Sequence, residues 1–174
     1  MLEISTDSPY RPGADLKENP MALREKLTEA MKDAMKAKDA KRLATVRMML
    51  AALKDRDIAA RTETSRDLLG DDEILSLLAK MIKQREESAA VYVQGGRPEL
   101  AENEKAEIAI IREFMPRQMD EPEARAAIAA VVAELGATSV KDMGKVMGTL
   151  KERYAGQMDF GRASGHVKEA LTPK

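Results

Sequence analysis

The chain of 174 residues contains no cysteine and no tryptophan. Without cysteine there are no disulfides, no thiolate metal sites and no cysteine nucleophile, which suits a reducing cytoplasm. Aromatic residues make up only 3%, so recognition by stacked aromatic side chains has little material. Long hydrophobic runs are also missing. The longest, "AAIAAVVA" over 126–133, falls far short of the ~20 residues that span a bilayer, so no membrane partner is expected. The first twenty residues, "MLEISTDSPYRPGADLKENP", lack the basic start and apolar stretch of a signal peptide. Their Pro, Gly and Asp content reads as a flexible leader or upstream extension over 1–20, with Met21 a candidate start.

What the chain does hold is helix-forming material. Ala, Leu, Met, Lys, Glu and Arg dominate, with 12 methionines, 44% hydrophobic and 34% charged residues. These are favourable helix residues, and no strand-like alternation persists. The pattern predicts an all-α protein with helices over about 22–38, 40–61, 71–94, 98–114, 121–135, 139–154 and 160–171. Asp71 and Asp72 are candidate N-caps for the third helix, Ser139 with Asp142 resembles a capping box, and Asp159 caps the last helix. "MPRQMDEP", 115–122, has prolines and no periodicity, and marks a boundary. The expected organisation is an N-terminal domain of about four helices in two long hairpins over 21–116, then a small three-helix bundle over 120–174. A bundle that small is marginal alone and should dock on a neighbour.

A net charge of −1 conceals an uneven distribution. Residues 21–61 carry eleven Lys/Arg against six Asp/Glu, 71–135 carry eight against fourteen, and 139–174 carry seven against four. Two basic ends flank an acidic middle. This is either ordinary solvated helix surface or a pair of faces for a polyanion.

Material for catalysis is sparse. His166 is the single histidine and has no nearby Ser or Asp in a triad-like arrangement, so it reads as a surface or helix-end residue. Glu86–Glu87 and Asp71–Asp72 are sequence neighbours, which point in different directions on a helix. "VQGGRPEL" lacks the Lys-Ser/Thr ending of a phosphate loop. No catalytic residue, metal site or cofactor is expected.

"KDMGKVMGTLKERYAG", 141–156, is different. Val140, Met143, Met147, Leu150 and Tyr154 form an apolar stripe at ~100° per residue, with Gly144 and Gly148 just beside it. Each helix-interior glycine costs about 1 kcal/mol relative to alanine. Lys141 and Lys145 lie beyond the glycines, and Lys151 borders them on the other side. Two explanations fit. Either a neighbouring helix approaches closely where side chains are missing, or the bare backbone is a shelf for a nucleic-acid backbone met by the lysines. Gly144, nearer the stripe, is the expected packing residue, and Gly148 the expected shelf.

At this point the sequence resembles the GatB/YqeY family, and YqeY-like proteins in particular. The resemblance is carried by "SVKDMGKVMGTLKERYAGQMDFGRASGHVKEAL", and upstream by "VRMMLAALKDRDIA", "QREESAAVY" and "EIAIIREFMPRQMDEPE", spanning about 22–172. It implies an N-terminal helical domain and a C-terminal three-helix domain similar to the tail of the tRNA-dependent amidotransferase B subunit, which contacts tRNA. Similar modules are appended to some glutaminyl-tRNA synthetases. The family often inherits a carbon–nitrogen ligase label with glutamine as amide donor, although the amidotransferase's chemistry lies in domains this chain lacks. After Gly156, "QMDFGRASG" stands in place of a more basic segment. The implied RNA-binding residues are Lys141, Gly144, Lys145, Gly148, Lys151, Arg153, Arg162 and Lys168. The expected function is therefore a non-catalytic, cytoplasmic tRNA-binding or tRNA-enzyme accessory protein. Its partners would be tRNA and an amidotransferase or aminoacyl-tRNA synthetase, with no sequence-specific DNA binding. A module that docks on such an enzyme without touching RNA is the alternative, and an amide-transfer enzyme a third.

Overall fold

The computed structural model describes residues 22–61 and 67–172. The expected leader lies outside these residues. Among them are seven α-helices and one 3-10 turn, with no strand.

Helix α1, Ala22–Lys36, and α2, Ala40–Ala60, form an antiparallel pair. Lys38 takes the left-handed conformation at φ 55°, which lets the Asp39 N–H return to the Ala34 carbonyl at 3.0 Å. Asp39 then caps α2 by accepting from the Arg42 N–H at 3.0 Å. Helix α3, Asp71–Gln94, turns at Gly95–Gly96 and packs along α4, Pro98–Arg112. Pro98 opens α4 where a missing N–H is harmless. Leu27, Met49, Leu53, Ile74, Leu78 and Ile111 are the fully enclosed side chains of one core. Burying each large apolar side chain contributes about 1.5–3 kcal/mol.

The N-cap of α3 differs from the expectation. Gly70 holds that position, its N–H donating to Glu73 at 3.1 Å. Asp71 is instead buried and reaches back to α1, accepting the Leu23 N–H at 3.2 and 3.3 Å. A helix start from 48 residues away thus takes the carboxylate, because the first amides of α1 are otherwise unpaired.

After a non-helical segment over 113–120 come α5, Glu121–Leu135, a 3-10 turn at Val140–Asp142, α6, Met143–Tyr154, and α7, Phe160–Leu171. The last three helices each contact the other two. Asp120 and Glu123 form a reciprocal capping box at 2.8 and 3.0 Å. Gly136, at φ 61°, ends α5. Asp142 accepts from the Thr138 and Ser139 amides at 3.0 and 3.2 Å. Ile128, Val131, Val146, Leu150 and Val167 lead a second core.

One residue expected on the apolar stripe lies outside it, and one was missed. Val140 is 46% exposed, whereas Val146 is fully buried. The 3-10 turn explains Val140. Its tighter winding, three residues per turn, breaks the register, which restarts at Met143.

One short segment joins the two cores. Ala155 belongs to the first core although it follows α6. Gly156, at φ 73°, lies so near Leu75 that an added Cβ would sit 3.1 Å from the Leu75 Cβ. The Gln118 side chain donates to the Gly156 carbonyl, and the Met119 N–H donates to the Gln157 carbonyl at 2.8 Å.

Candidate nucleic-acid interface

On α6 the buried side chains are Val146 and Leu150, with Met143, Met147 and Tyr154 partly buried against the same core. Gly144 and Gly148 stand two residues either side of Val146, roughly 160° around the helix from it. Both are exposed, and no heavy atom lies within 4 Å of where a Cβ would be at either position. The expectation that Gly144 admits a neighbouring helix is therefore overturned. The adjacent helices meet α6 on its opposite side, through Val146. Both glycines expose bare helix backbone to solvent.

Around this backbone, Lys141, Lys145 and Lys151 are exposed and enter no ion pair among the described residues. Lys141 sits in the 3-10 turn ahead of α6. Asp142 and Glu152 are the acidic neighbours of this group, Glu152 lying exposed one helical turn after Gly148. The Thr138 and Ser139 amides hold the Asp142 carboxyl below the usual range, and the charge of Lys145 adds to that effect.

The remaining basic residues are placed differently. Arg153 grips Glu134 of α5 through both terminal nitrogens at 2.6 Å, and this pairing holds the Glu134 carboxyl low. Arg162 lies 3.9 Å from Asp159, too long for a firm pair. Lys168 is exposed on α7, without an ion pair among the described residues. The structure thus groups Lys141, Lys145 and Lys151 with the glycines on α6, turns Arg153 toward α5, and leaves Arg162 and Lys168 on α7.

A second strip went unremarked in the sequence. Gly161 and Gly165 flank buried Ala163 of α7 as Gly144 and Gly148 flank Val146, and both are exposed. A Cβ at Gly165 would meet nothing within 4 Å, and one at Gly161 only the capping Asp159 oxygen at 3.1 Å. The signal was present as Gly-Lys-Val-Met-Gly and Gly-Arg-Ala-Ser-Gly, each with a basic residue after the first glycine.

His166 lies on α7 with its ring nitrogens 3.8 Å from Glu169 and 4.0 Å from Glu121. Arg125 bridges the same two carboxylates at 3.1 and 3.3 Å. The His166 Nδ1 is buried without a hydrogen-bond partner. No nucleophile is oriented by the ring. Among the described residues there is no cluster of three His, Asp or Glu able to hold a metal, and no helix is long and apolar enough to cross a membrane.

Comparison with known proteins adds relatives to this geometry. The chain is similar to the "Altered inheritance of mitochondria protein 41, mitochondrial" of three yeasts. For Candida glabrata the identity is 29% over 89 residues, covering 51% of this chain and 47% of the relative. For Kluyveromyces lactis it is 36% over 89 residues, covering 51% and 45%. For Clavispora lusitaniae it is 34% over 94 residues, covering 54% and 52%. The chain spans about half the length of the curated relatives it matches. The family model described as Yqey-like protein matches residues 24–171, which takes in every helix but the first two residues of α1, and the chain belongs to that family.

Proposed function

We propose that this protein is a non-catalytic tRNA-binding or tRNA-enzyme accessory protein that meets RNA through its shape and phosphates. The observation that carries this reading is the open glycine strip of α6 with three unpaired lysines around it. A phosphate chain can approach bare helix backbone more closely than a helix covered with side chains, and mobile ammonium groups then meet the oxygens. The resemblance to the amidotransferase tail supplies tRNA as the RNA class. In this reading the helices from Glu121 onward form the RNA-facing three-helix unit and the four before Pro116 its scaffold. Arg153 contributes less than the lysines, because binding phosphate would cost it Glu134. The cytoplasm is the proposed compartment, to be checked by fractionation, although the names of the relatives place those proteins in mitochondria.

A second reading is docking on an amidotransferase or synthetase without RNA contact. It is favoured by Val91, 64% exposed beside a shallow groove lined by Gln84, Ser88 and Tyr92 toward the far end of α3. Salt dependence separates the two. Three or four lysines on phosphates give log K a slope against log salt of about −3, and an apolar face gives almost none. Fluorescence anisotropy with labelled tRNA should show that slope for the wild type. Lys141→Glu with Lys145→Glu should weaken binding and flatten the slope by about 2. Unchanged affinity of the folded double variant at low salt would sink the RNA role of this face. Purified protein with glutamine and tRNA should show no amide transfer, with or without His166→Ala.

A further inference from the structure

A groove of about 650 Å³ runs between α3 and the segment that leads into α7, within the size range of small-molecule sites. One wall is a single stripe of α3, with Ala79, Lys80, Lys83 and Glu87 among the residues at helical spacing. The facing wall is Gly156 to Arg162, and the end is closed by Arg112, Met115 and Gln118. These walls are held in place. Gly156 sits against Leu75, one turn of α3 before Ala79, and Met119 is pinned to Gln157. The gap therefore does not depend on a loose hinge.

The chemistry of the lining is divided. Phe160 and Met115, both half-buried, give an apolar surface, while Met158 beside them is buried. Lys80 and Lys83 are exposed and have no ion pair among the described residues. Arg162 stands across from them, 3.9 Å from its nearest carboxylate. The acidic residues are largely answered. Arg112 neutralises Glu86 at 2.9 Å, and Asp159 accepts from the Gly161 and Arg162 amides at 2.9 and 3.3 Å. Only Glu87 remains without a partner on the lining. Unspent positive charge beside a half-buried phenyl ring matches a ligand with phosphate at one end and a planar ring at the other.

We propose that this groove binds a nucleotide, its base against Phe160 and Met115 and its phosphate between Lys80, Lys83 and Arg162. This rests on the reading of the chain as an RNA-binding protein, and adds to the α6 face a separate site for an unpaired nucleotide. Stacking on aromatic and apolar side chains is sequence-tolerant, as every base has a π-face. The same chemistry could come from the single-stranded end of an RNA or from a free nucleotide.

The test uses the full chain, a labelled five-nucleotide RNA single strand and a blunt-ended RNA duplex, both followed by anisotropy. The wild type should bind the single strand, and Lys80→Glu with Lys83→Glu should weaken it about tenfold or more while leaving the duplex unaffected. Lys141→Glu with Lys145→Glu should do the reverse. Phe160→Leu, with its fold checked by circular dichroism, should weaken the single strand and keep duplex binding. Competition by AMP as strong as by the oligonucleotide identifies a free nucleotide as the ligand, and competition by the oligonucleotide alone identifies an RNA end. Displacement by poly-glutamate as effective as by the oligonucleotide would overturn the proposal, showing attraction to charge only. Duplex binding without single-strand binding would sink the groove and spare the α6 reading. Single-strand binding lost in the Lys80/Lys83 variant but no duplex binding would support the groove and sink the α6 reading. Binding of neither would end both.

Discussion

Gly144, Gly148 and Gly156 belong to one short stretch, and their missing side chains have opposite consequences. Gly144 and Gly148 face open space in a helix, while Gly156 combines φ 73° with contact to Leu75. Alanine at either of the first two positions gives up nothing in packing and gains helix propensity. Gly144→Ala and Gly148→Ala should each stabilise the protein by about 0.5–1 kcal/mol in urea titrations. If the same variants bind tRNA more weakly, the bare backbone is being used by RNA. Gly156→Ala should move the other way, losing about 1–3 kcal/mol from backbone strain and crowding. A rise in Tm for Gly156→Ala would show that the Leu75 contact does not constrain this position.

At the scale of elements, one buried ion pair ties α1, α2 and the approach to α3 together. Arg24 of α1 donates to both carboxylate oxygens of Asp57 in α2, at 2.8 and 2.9 Å. Asp57 also accepts the Leu69 N–H at 3.1 Å. The Arg24 hydrogen bond is the main cause that holds the Asp57 carboxyl below its usual value, against the opposing effect of burial. A carboxyl lowered in the folded state stabilises above its unfolded value and loses that contribution as pH falls through the folded value. Asp71 runs the other way: burial raises it, with the Leu23 amide opposing. Its ionised form at neutral pH costs stability, and its protonation on acidification offsets part of the Asp57 loss. Asp57→Asn should cost about 3 kcal/mol at neutral pH, since Arg24 is left buried and unmatched. Denaturation of the two proteins below about pH 4, the usual carboxylate range, should show the gap narrowing. A gap that stays constant down to acid pH would mean that the pair contributes nothing to the pH dependence.

For the whole molecule the question is how the last three helices sit on the first four. The contact is narrow: Leu75 with Gly156, the Gln118 side chain with the Gly156 carbonyl, and Met119 with Gln157. The segment over 113–120 is non-helical and so a natural protease target, but its backbone is partly pinned. Gly156→Val should release that pin and speed cleavage within 113–120 relative to the wild type in limited proteolysis. Equal cleavage rates in the two proteins would show that the seat at Leu75 does not protect the segment.

Much of this architecture was legible in the residues. The helix ends fall close to their expected places because Asp39, Asp120, Asp159, Gly95 and Gly136 carry local instructions: a side chain that accepts an amide, or a glycine that stops the turn. Those interactions reach only a few residues along the chain, so sequence alone determines them. The basic ends and the flanked glycine pair of α6 were legible for the same reason. What could not be read was which surface each face meets. Asp71 has the residue type and position of a cap for its own helix, yet it serves α1, because only the packing of α3 against α1 brings the Leu23 amide to it. Val146 and Val140 are the same residue type six places apart, about 120° around a helix, and only the packing of α6 decides that Val146 meets the core and Val140 the solvent. Gly144 and Gly156 are both glycines beside an apolar stripe, and only the approach of Leu75 makes one a contact and leaves the other bare. Local hydrogen bonding is encoded within a turn or two of each residue, whereas burial and contact depend on side chains far away in sequence, and those are placed only when the chain has folded.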